Sequence, residues 1–317
     1  MAHRVLAIDT RYFNPIWGEL VLEFMGEGYE LVLPEPFEYE QFEKEAATAS
    51  AIITGRAPVT AELIAAAPNL KAIGRGGIGL DTIDIEAATA AGVAVVNAPT
   101  RVLGVALAEH AFTFMLTLSR RPWLWWDKPV PHNMLDGTTL GIVGLGTIGR
   151  EVASRGAAFG MDVLVHTRTR GKFQPEGYTV EETDTLDELL PRVDYLVLSL
   201  PLTEETHHCI GAKELSSMKK ESFLINVARG GLVDTDALVA SLREGHTAGA
   251  GLDVTVPEPL PDAHPLRQMP NAMISPHIGG ITNRTLRATA ETMCRNVRMA
   301  VEGKRPDTIV NAEIFDS

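Results

Sequence analysis

The chain has 317 residues, of which 45% are hydrophobic and 22% charged, the composition of a soluble globular protein with room for two domains. Acidic residues outnumber basic ones by 41 to 28, and the net charge of −13 argues against nucleic acids and anionic membranes as partners. Cys209 and Cys294 are the only cysteines, so no disulfide framework is expected. Since the first predicted strand begins almost at the N-terminus, with no leader pattern before it, a cytoplasmic protein is expected.

The first part of the chain, up to about residue 98, alternates predicted strands and helices. Short apolar runs predict strands at 4–8, 30–33, 51–54, 71–73 and 93–96. Helical spacing of apolar residues recurs between them, near 16–26, 37–48, 60–67 and 82–91. Strands separated by helices of this length predict a parallel sheet covered on both faces.

A glycine-rich turn, residues 74–81, follows the fourth predicted strand. Its four glycines predict bare backbone N–H groups that cradle an anion, which would make Arg75, Gly76 and Gly77 contacts for a substrate carboxylate. The alternative is a tight strand-to-helix turn capped by Asp81. Both interpretations can hold together.

A long helix is predicted over residues 99–120, where the chain leaves the first domain. Its most apolar part, 105–118, contains Glu109 and His110 and is expected to be too short to span a bilayer. No membrane association is therefore predicted.

A tryptophan cluster follows this helix, formed by Trp123, Trp125 and Trp126. Aromatic residues are enriched at interface cores, so the cluster predicts a contact with another subunit, and hence a homodimer. A position at the lip of the active site is the alternative.

The segment 139–170 contains, in order, an apolar strand, a Gly-x-Gly-x-x-Gly turn, a helical stretch from 150 to 160 and a second apolar strand at 161–165. This context predicts dinucleotide binding, because the glycines permit a tight turn, close approach of a pyrophosphate and packing of helix on strand. The pyrophosphate would lie at the helix N-terminus, where unpaired N–H groups and the dipole favour negative charge. The predicted cofactor contacts in this turn are Gly144, Gly146, Thr147, Ile148 and Gly149.

The end of the second strand predicts which dinucleotide is bound. An acidic residue usually holds the ribose 2′-hydroxyl about 20 positions after the first glycine, but no carboxylate lies between Asp162 and Glu176. Thr167, Arg168, Thr169 and Arg170 occupy this region instead, and two guanidiniums with two hydroxyls suit a 2′-phosphate. The predicted cofactor contacts among them are Thr167, Arg168 and Thr169. The pattern favours NADP, with NAD as the second choice. A solvated basic loop is the alternative.

The remainder of the chain continues the same alternation. Strands are predicted at 195–199, 222–226, 249–254 and 273–274, and helices at 185–190, 211–218 and 234–244. The pattern predicts a doubly wound sheet, whose ligands lie at the carboxyl ends of its strands. A last helix at 282–302 and the tail at 310–315 are expected to return to the first domain.

The candidate chemical groups all follow strands of this second sheet. They are the cation of Arg229, the carboxylates of Asp253 and Glu258, and the imidazole of His277. Hydride transfer to a carbonyl needs a proton donor and a cation that polarises the oxygen. His277 fits the donor, and Arg229 fits the cation. Each alone could be a turn residue or a surface ion pair, but the glycines beside them favour close approach of a ligand.

The run His207, His208 and Cys209 raises the question of a metal site. A metal is not expected, because no second cluster of ligands accompanies these residues. The run is better interpreted as part of the loop after the strand at 195–199, beside the cofactor.

The chain resembles the D-isomer-specific 2-hydroxyacid dehydrogenases, a family that includes phosphoglycerate dehydrogenase, D-lactate dehydrogenase and glyoxylate/hydroxypyruvate reductase. The resemblance runs from about residue 50 to 303. It rests on eight ordered motifs: GRGGIGLDTID (74–84), VVNAP (95–99), LAEH (107–110), GIVGLGTIG (141–149), LPLTEETHH (200–208), NVARGGLVD (226–234), GLDVTVPEP (251–259) and SPHIGG (275–280).

The resemblance implies a fold and a set of roles. The fold is α/β, with two doubly wound parallel-sheet domains: a Rossmann nucleotide domain (99–284) is inserted in a flavodoxin-like substrate domain (1–98 plus 285–317). The catalytic residues would be Arg229, Glu258 and His277, with Glu258 supporting the imidazole. Asp253 would contact the nicotinamide side. Further implied cofactor contacts are Pro201, Thr206, Ala228 and Gly279.

Three positions depart from the family pattern. The usual acidic ribose residue falls at Thr167, beside Arg168, as in the NADP-using reductases. Gly144 follows His110 by only 34 positions, which puts the family's dimer geometry in doubt. Arg56 is out of register with the arginine common in phosphoglycerate dehydrogenases, which argues against a phosphorylated substrate.

The predicted function is therefore reduction of a small 2-oxo acid, such as glyoxylate or hydroxypyruvate, to the 2-hydroxy acid by NADPH. One alternative is an NAD-dependent D-3-phosphoglycerate-type dehydrogenase. Another is a nucleotide-sensing regulator without catalytic turnover.

Overall fold

The computed structural model describes residues 2–9, 15–34, 38–122 and 132–316, and the predicted tryptophan cluster lies outside these ranges. The chain forms two compact units. The first consists of Met1–Leu103 and Thr282–Ser317, and the second of Gly104–Ile281. Each unit contains one parallel sheet, as the alternation of strands and helices predicts.

The elements follow one another in short alternation. The strands are β1 His3–Ala7, β2 Tyr29–Val32, β3 Ala51–Thr54, β4 Ala72–Arg75, β5 Ala94–Val96, β6 Thr139–Val143, β7 Asp162–His166, β8 Glu181–Thr183, β9 Tyr195–Leu198, β10 Ser222–Asn226, β11 Thr247–Leu252 and β12 Ala272–Ile274. The α-helices are α1 Pro15–Met25, α2 Tyr39–Ala46, α3 Ala61–Ala65, α4 Ile85–Ala90, α5 Arg101–Arg120, α6 Thr147–Ala158, α7 Leu186–Leu189, α8 Ala212–Ser217, α9 Thr235–Glu244, α10 Pro265–Gln268 and α11 Asn283–Val301. Short 3₁₀ helices lie at Leu190–Arg192, Gly230–Leu232 and Ala312–Phe315.

The first sheet has the strand order β2-β1-β3-β4-β5, and its pairs are parallel. This is the flavodoxin-like order, in which helices cover both faces. Val5 and Ile53 belong to the core on one face, together with residues of α1 and α11, whereas Leu6 and Ile52 belong to the core on the other. Because both faces are covered, β3 is buried at every position, and its sequence AIIT is apolar except for the terminal Thr54.

The second sheet has the order β12-β11-β10-β9-β6-β7-β8, again with parallel pairs. Counted from β6, this is the Rossmann order, extended at one edge by β12. Strand order runs outward from β6 to β8 on one side and from β9 to β12 on the other, so it reverses between β6 and β9. Ligands of such sheets lie outside the carboxyl ends of the strands at this point. The edge strand β8 was not predicted, because its sequence EET is too short and polar to give an apolar signal.

Local sequence determines where several helices begin and end. The helix α4 starts after Asp84, whose carboxylate accepts a hydrogen bond from Ala87 N at 2.9 Å, so the predicted cap at Asp81 is wrong. Thr282 and the following turn form a capping box at the start of α11. Gly245 ends α9 with φ of 72°, a left-handed conformation that favours glycine.

The helix α5 is 20 residues long, so the prediction that it is too short to span a bilayer is wrong. Its packing explains its apolar composition, because 56% of the most apolar 18-residue stretch of the helix is buried within the protein. Phe114 packs so closely on β11 that a Cβ added at Gly251 would lie 2.5 Å from it. Near the end of the helix, Ser119 shares a hydrogen bond of 2.7 Å with the Tyr195 hydroxyl. These contacts make α5 a core helix.

The C-terminal tail covers one edge of the first sheet, at the edge strand β5. Val310 N donates to Val95 O at 2.8 Å, so the tail satisfies a backbone group that an edge strand would otherwise leave open. Asn311 is buried; its Oδ1 accepts from Val95 N and its Nδ2 donates to Val93 O, both at 2.8 Å. The amide of Asn311 therefore takes the place of a neighbouring strand.

The change Asn311→Ala is expected to lower the free energy of unfolding by about 2–4 kcal/mol, because it leaves two buried backbone groups without partners. Asn69→Ala is the matched control, since Asn69 is exposed and makes one long bond of 3.3 Å to Ala47 O. That change should alter stability by less than about 0.5 kcal/mol. Urea unfolding measures both, and equal losses in the two variants would contradict the role of Asn311.

Candidate active site

The turn after β6 requires two of its glycines for steric reasons. Gly144 has φ of 94°, and a Cβ there would lie 2.8 Å from Ser199 O. A Cβ on Gly149 would lie 2.1 Å from Gly144 O. The turn is closed by Ser199 Oγ, which donates to Gly144 O at 2.7 Å. Larger residues would force β6, the turn and the following helix apart.

Gly146 differs from its two neighbours, because a Cβ there would meet no protein atom within 4 Å. Gly146 is the N-cap of α6 and provides no side-chain cap, so no capping side chain satisfies the first N–H groups of the helix, from Thr147 and Ile148 onward. A helix N-terminus of this kind binds phosphate through its N–H groups and its dipole. The turn therefore fits the pyrophosphate of a dinucleotide.

The segment after β7 exposes three cations, Arg168, Arg170 and Lys172. Thr167 is half-buried, whereas Arg168 and Thr169 are exposed. Arg170 forms an ion pair with Asp184. Within the described ranges Arg168 makes no hydrogen bond or ion pair with the protein.

The predicted cofactor residues after β9 form a closed local turn. Thr206 Oγ1 donates to Pro201 O at 2.8 Å and accepts from Thr203 N at 2.7 Å. His208 N donates to Gly231 O at 2.8 Å, which ties this turn to the segment after β10. The turn is therefore attached to the segment that carries the candidate cation.

Arg229 lies on the segment after β10, and Asn226 shapes that segment. Asn226 Nδ2 donates to Arg229 O at 2.8 Å, and its Oδ1 accepts from Ala228 N at 3.1 Å. Arg229 Nη1 donates to Ala228 O at 2.8 Å, which orients the guanidinium. A Cβ on Gly230 would lie 2.3 Å from Thr255 O, so glycine is needed for the contact with the segment after β11.

His277 and Glu258 form a hydrogen-bonded pair. His277 Nδ1 lies 2.8 Å from Glu258 Oε1, and the two side chains are 25% and 29% exposed. Since a carboxylate only accepts, Nδ1 carries the hydrogen, and Nε2 has no hydrogen-bond partner within the described residues. The pair thus has the arrangement of a proton donor oriented by a carboxylate.

The backbone of His277 has φ of 56°, a left-handed conformation that costs a residue other than glycine about 1–2 kcal/mol. His277 N donates to Asp253 O at 2.8 Å and to Ser275 O at 2.9 Å. Such a conformation persists only where surrounding contacts hold it. The backbone oxygens of Asp253 and Ser275 provide such contacts.

The carboxylate of Asp253 is buried, with 0% of its side chain exposed. Oδ1 accepts from Ser275 Oγ at 2.6 Å and from Ile278 N at 2.8 Å, and Oδ2 accepts from Gly279 N at 3.0 Å. Burial raises the pKa of this carboxyl, but the hydrogen bonds from His110, Ser275, Ile278 and Gly279 outweigh burial, so the pKa lies below its ordinary value. Asp253 is therefore a carboxylate whose oxygens contact protein donors, and a nicotinamide contact stays a prediction.

Sequence reasoning missed His110 and Ser275 as members of this site. His110 Nε2 lies 2.8 Å from Ser275 Oγ and 3.4 Å from Asp253 Oδ1. Gly279, a predicted cofactor contact, packs against both groups, since a Cβ there would lie 2.8 Å from His110 Cδ2 and from Asp253 Oδ2. A histidine within a mainly apolar stretch of a helix was the available signal.

The glycine-rich turn of the first unit does not have the expected bare N–H groups at Gly76 and Gly77. Gly76 N donates to Thr54 O at 2.9 Å, and Gly77 N donates to Arg75 O at 2.8 Å. Arg75 is buried, and its Nε donates to Gly79 O at 2.9 Å. The expectation was wrong because the turn folds back on the end of β3, and a substrate role for these residues stays a prediction.

Comparison with known proteins assigns the family. The family model for the D-isomer specific 2-hydroxyacid dehydrogenase, NAD binding domain, matches residues 101–279. A glyoxylate reductase of Aeropyrum pernix is 37% identical over 92% of this chain and 93% of its own length. A glyoxylate reductase of Thermococcus litoralis is 39% identical over 82% of each chain.

Solved structures agree with this assignment. An NADPH-dependent glyoxylate/hydroxypyruvate reductase from Sinorhizobium meliloti, in complex with NADP and malonate, superposes with a TM-score of 0.85 at 29% identity, covering 98% of each chain. A glyoxylate reductase from Paecilomyes thermophila gives a TM-score of 0.83 at 33% identity, again over 98% of each chain. The chain therefore belongs to the D-isomer specific 2-hydroxyacid dehydrogenases and is an NAD(P)-dependent dehydrogenase.

Proposed function

We propose that this enzyme reduces small 2-oxo acids of the glyoxylate and hydroxypyruvate type with NADPH. The observation that carries the proposal is the His277–Glu258 pair, whose Nδ1 to Oε1 distance of 2.8 Å orients the imidazole. Two relatives, from Aeropyrum pernix and Thermococcus litoralis, support the substrate class, because they are glyoxylate reductases.

In this proposal the protein supplies one proton to the substrate and pairs a cation with the substrate carboxylate. The bound nicotinamide would supply a hydride to the carbonyl carbon of the substrate. His277, protonated on both nitrogens, gives its Nε2 proton to the carbonyl oxygen, and Glu258 stabilises the imidazolium through Nδ1. The guanidinium of Arg229 pairs with the substrate carboxylate and polarises the carbonyl oxygen.

We further propose that NADPH is preferred over NADH. Arg168 is exposed after β7 and forms no ion pair within the described part of the chain, so it is available for a 2′-phosphate. The structure of the Sinorhizobium meliloti relative was determined in complex with NADP, which supports the same preference. Thr167 and Thr169 would add hydroxyl groups beside the phosphate.

The boundaries of the functional domains and the oligomeric state are also proposals. Residues 1–98 with 285–317 would bind substrate, and 99–284 would bind the dinucleotide. A homodimer is supported by exposed apolar side chains of the second unit, Leu116, Met134 and Phe159, of which Phe159 stacks on Phe112 at 5.1 Å. Sedimentation velocity would give the stoichiometry, and a monomer at micromolar concentration would end this part of the proposal.

The alternative of an NAD-linked D-3-phosphoglycerate dehydrogenase is less favoured. The relative of that name from Methanocaldococcus jannaschii is 36% identical, but this chain covers only 51% of it. A non-catalytic, nucleotide-sensing regulator is the other alternative, and a turnover assay separates it from the enzyme.

The direct test is the oxidation of NADPH, followed by absorbance, with a panel of 2-oxo acids. Glyoxylate and hydroxypyruvate should be reduced with kcat/KM of about 10⁴ M⁻¹s⁻¹ or more, within the usual range for enzymes. 3-Phosphohydroxypyruvate should be a poor substrate. No turnover with any 2-oxo acid, together with tight NADPH binding, would identify the regulator instead.

Cofactor preference is tested by Arg168→Ala. The KM for NADPH should rise about 10- to 100-fold, which corresponds to the loss of one charge-assisted contact, while the KM for NADH changes little. Arg170→Ala is the control, because Arg170 already pairs with Asp184. Equal effects of Arg168→Ala on the two cofactors would argue for NAD.

A further inference from the structure

The loop that carries His277, residues 275–279, is attached to the protein through consecutive backbone N–H groups. Asp253 accepts all three of those from His277, Ile278 and Gly279, through its backbone oxygen, Oδ1 and Oδ2 at 2.8, 2.8 and 3.0 Å. A residue that binds the N–H groups at and after His277 determines the direction of its side chain. The left-handed φ of 56° at His277 makes this hold necessary, because that conformation is unfavourable for histidine.

Ser275 and His110 complete the attachment. Ser275 Oγ donates to Asp253 Oδ1 at 2.6 Å, since a carboxylate only accepts. The Ser275 oxygen must then accept from His110 Nε2 at 2.8 Å, so Nε2 of His110 carries a hydrogen. The chain of donors runs from His110 through Ser275 and ends at the carboxylate of Asp253, which also accepts from the loop N–H groups of Ile278 and Gly279.

The position of His110 on a core helix explains what the hydrogen-bond network of His110, Ser275 and Asp253 does. His110 belongs to the core helix α5, not to the loop, and its ring packs edge-on against Phe114 at a centroid distance of 4.6 Å. It also contacts Gly279, where an added Cβ would lie 2.8 Å from His110 Cδ2. The network thus fixes the loop to a rigid helix. A loop held only by its own turn would lack this constraint.

We propose that His110 and Ser275 are positioning residues for the proton donor His277. Neither touches the reacting atoms in this arrangement; they act through Asp253, which holds the loop. Loss of the network would let the imidazole of His277 leave the position that proton transfer requires. The proton-transfer step would then slow, while binding of substrate and NADPH stays intact. The inference rests on the proposed role of His277 as proton donor.

The kinetic test compares Ser275→Ala with Ser275→Thr. Ser275→Ala should lower kcat about 10- to 100-fold with glyoxylate, with KM and the Kd for NADPH changed less than about twofold. Ser275→Thr keeps the hydroxyl and should restore kcat to within about threefold of the wild type. Ser216→Ala is the control, because Ser216 is exposed and its Oγ only donates to Lys213 O.

A second pair of variants, at His110, tests the inference independently in case Ser275→Ala does not fold. His110→Gln keeps an N–H donor near the Nε2 position and should retain kcat, whereas His110→Leu should lose it about as strongly as Ser275→Ala. Unchanged kcat in the variants that lose the group would overturn the inference. A joint fall of kcat, ligand affinity and thermal stability would overturn it as well, since this pattern marks a general structural role.

A readout without turnover separates this inference from the proposed function. In the ligand-free protein with ¹⁵N-labelled histidine rings, the Nδ1–H signal of His277, assigned with His277→Gln, should persist through its bond to Glu258. Ser275→Ala should lose this signal to exchange with water, and Ser275→Thr should recover it. Equal signals in all three would overturn the inference. A wild type that reduces no 2-oxo acid, with the signals behaving as expected, would overturn the proposed function alone.

Discussion

The buried carboxylate of Asp253 is the interaction on which the arrangement of the site depends. Removing an ionised carboxylate from water costs several kcal/mol unless protein donors replace the solvent. Here the donors belong to the loop 275–279 and to His110. The requirement to satisfy the charge therefore imposes a conformation on the loop, including the left-handed backbone of His277. The buried charge of Asp253 therefore determines the position of the partly exposed imidazole of His277.

The parallel sheet explains why the other chemical groups lie near this loop. The strands β12, β11 and β10 are neighbours, and Asn226, Leu252 and Ile274 lie in register across them. The segments that follow these residues therefore leave the sheet at the same level and at adjacent positions. One carries Arg229, the next carries Asp253 and Glu258, and the third carries His277. The contact of Gly230 with Thr255 then brings the first two segments together.

Sequence patterns predicted the features that local physics controls. The run AIIT in β3 is apolar except for Thr54, because both faces of the strand are covered. The Gly-x-Gly-x-x-Gly turn is required by contacts that Gly144 and Gly149 make near the turn. The sheets, the helices and the His277–Glu258 pair follow from such signals and from the family resemblance. The polar edge strand β8 carries no such signal and was missed.

Contacts between segments distant along the chain could not be predicted in the same way. His110 and Ser275 are 165 positions apart, and no periodicity in either segment indicates their bond. The hydrogen bond from Gly76 N to Thr54 O likewise depends on how the turn folds back on another strand, which the glycine pattern alone does not reveal.

The central claim is that the imidazole of His277, held by Glu258 and the Asp253 loop, donates the proton during reduction. Single-turnover reduction of glyoxylate by His277→Ala preloaded with NADPH tests this claim most directly. The account predicts a rate lower by about 100-fold or more at every pH, with NADPH affinity unchanged. A rate near that of the wild type at any pH would contradict it.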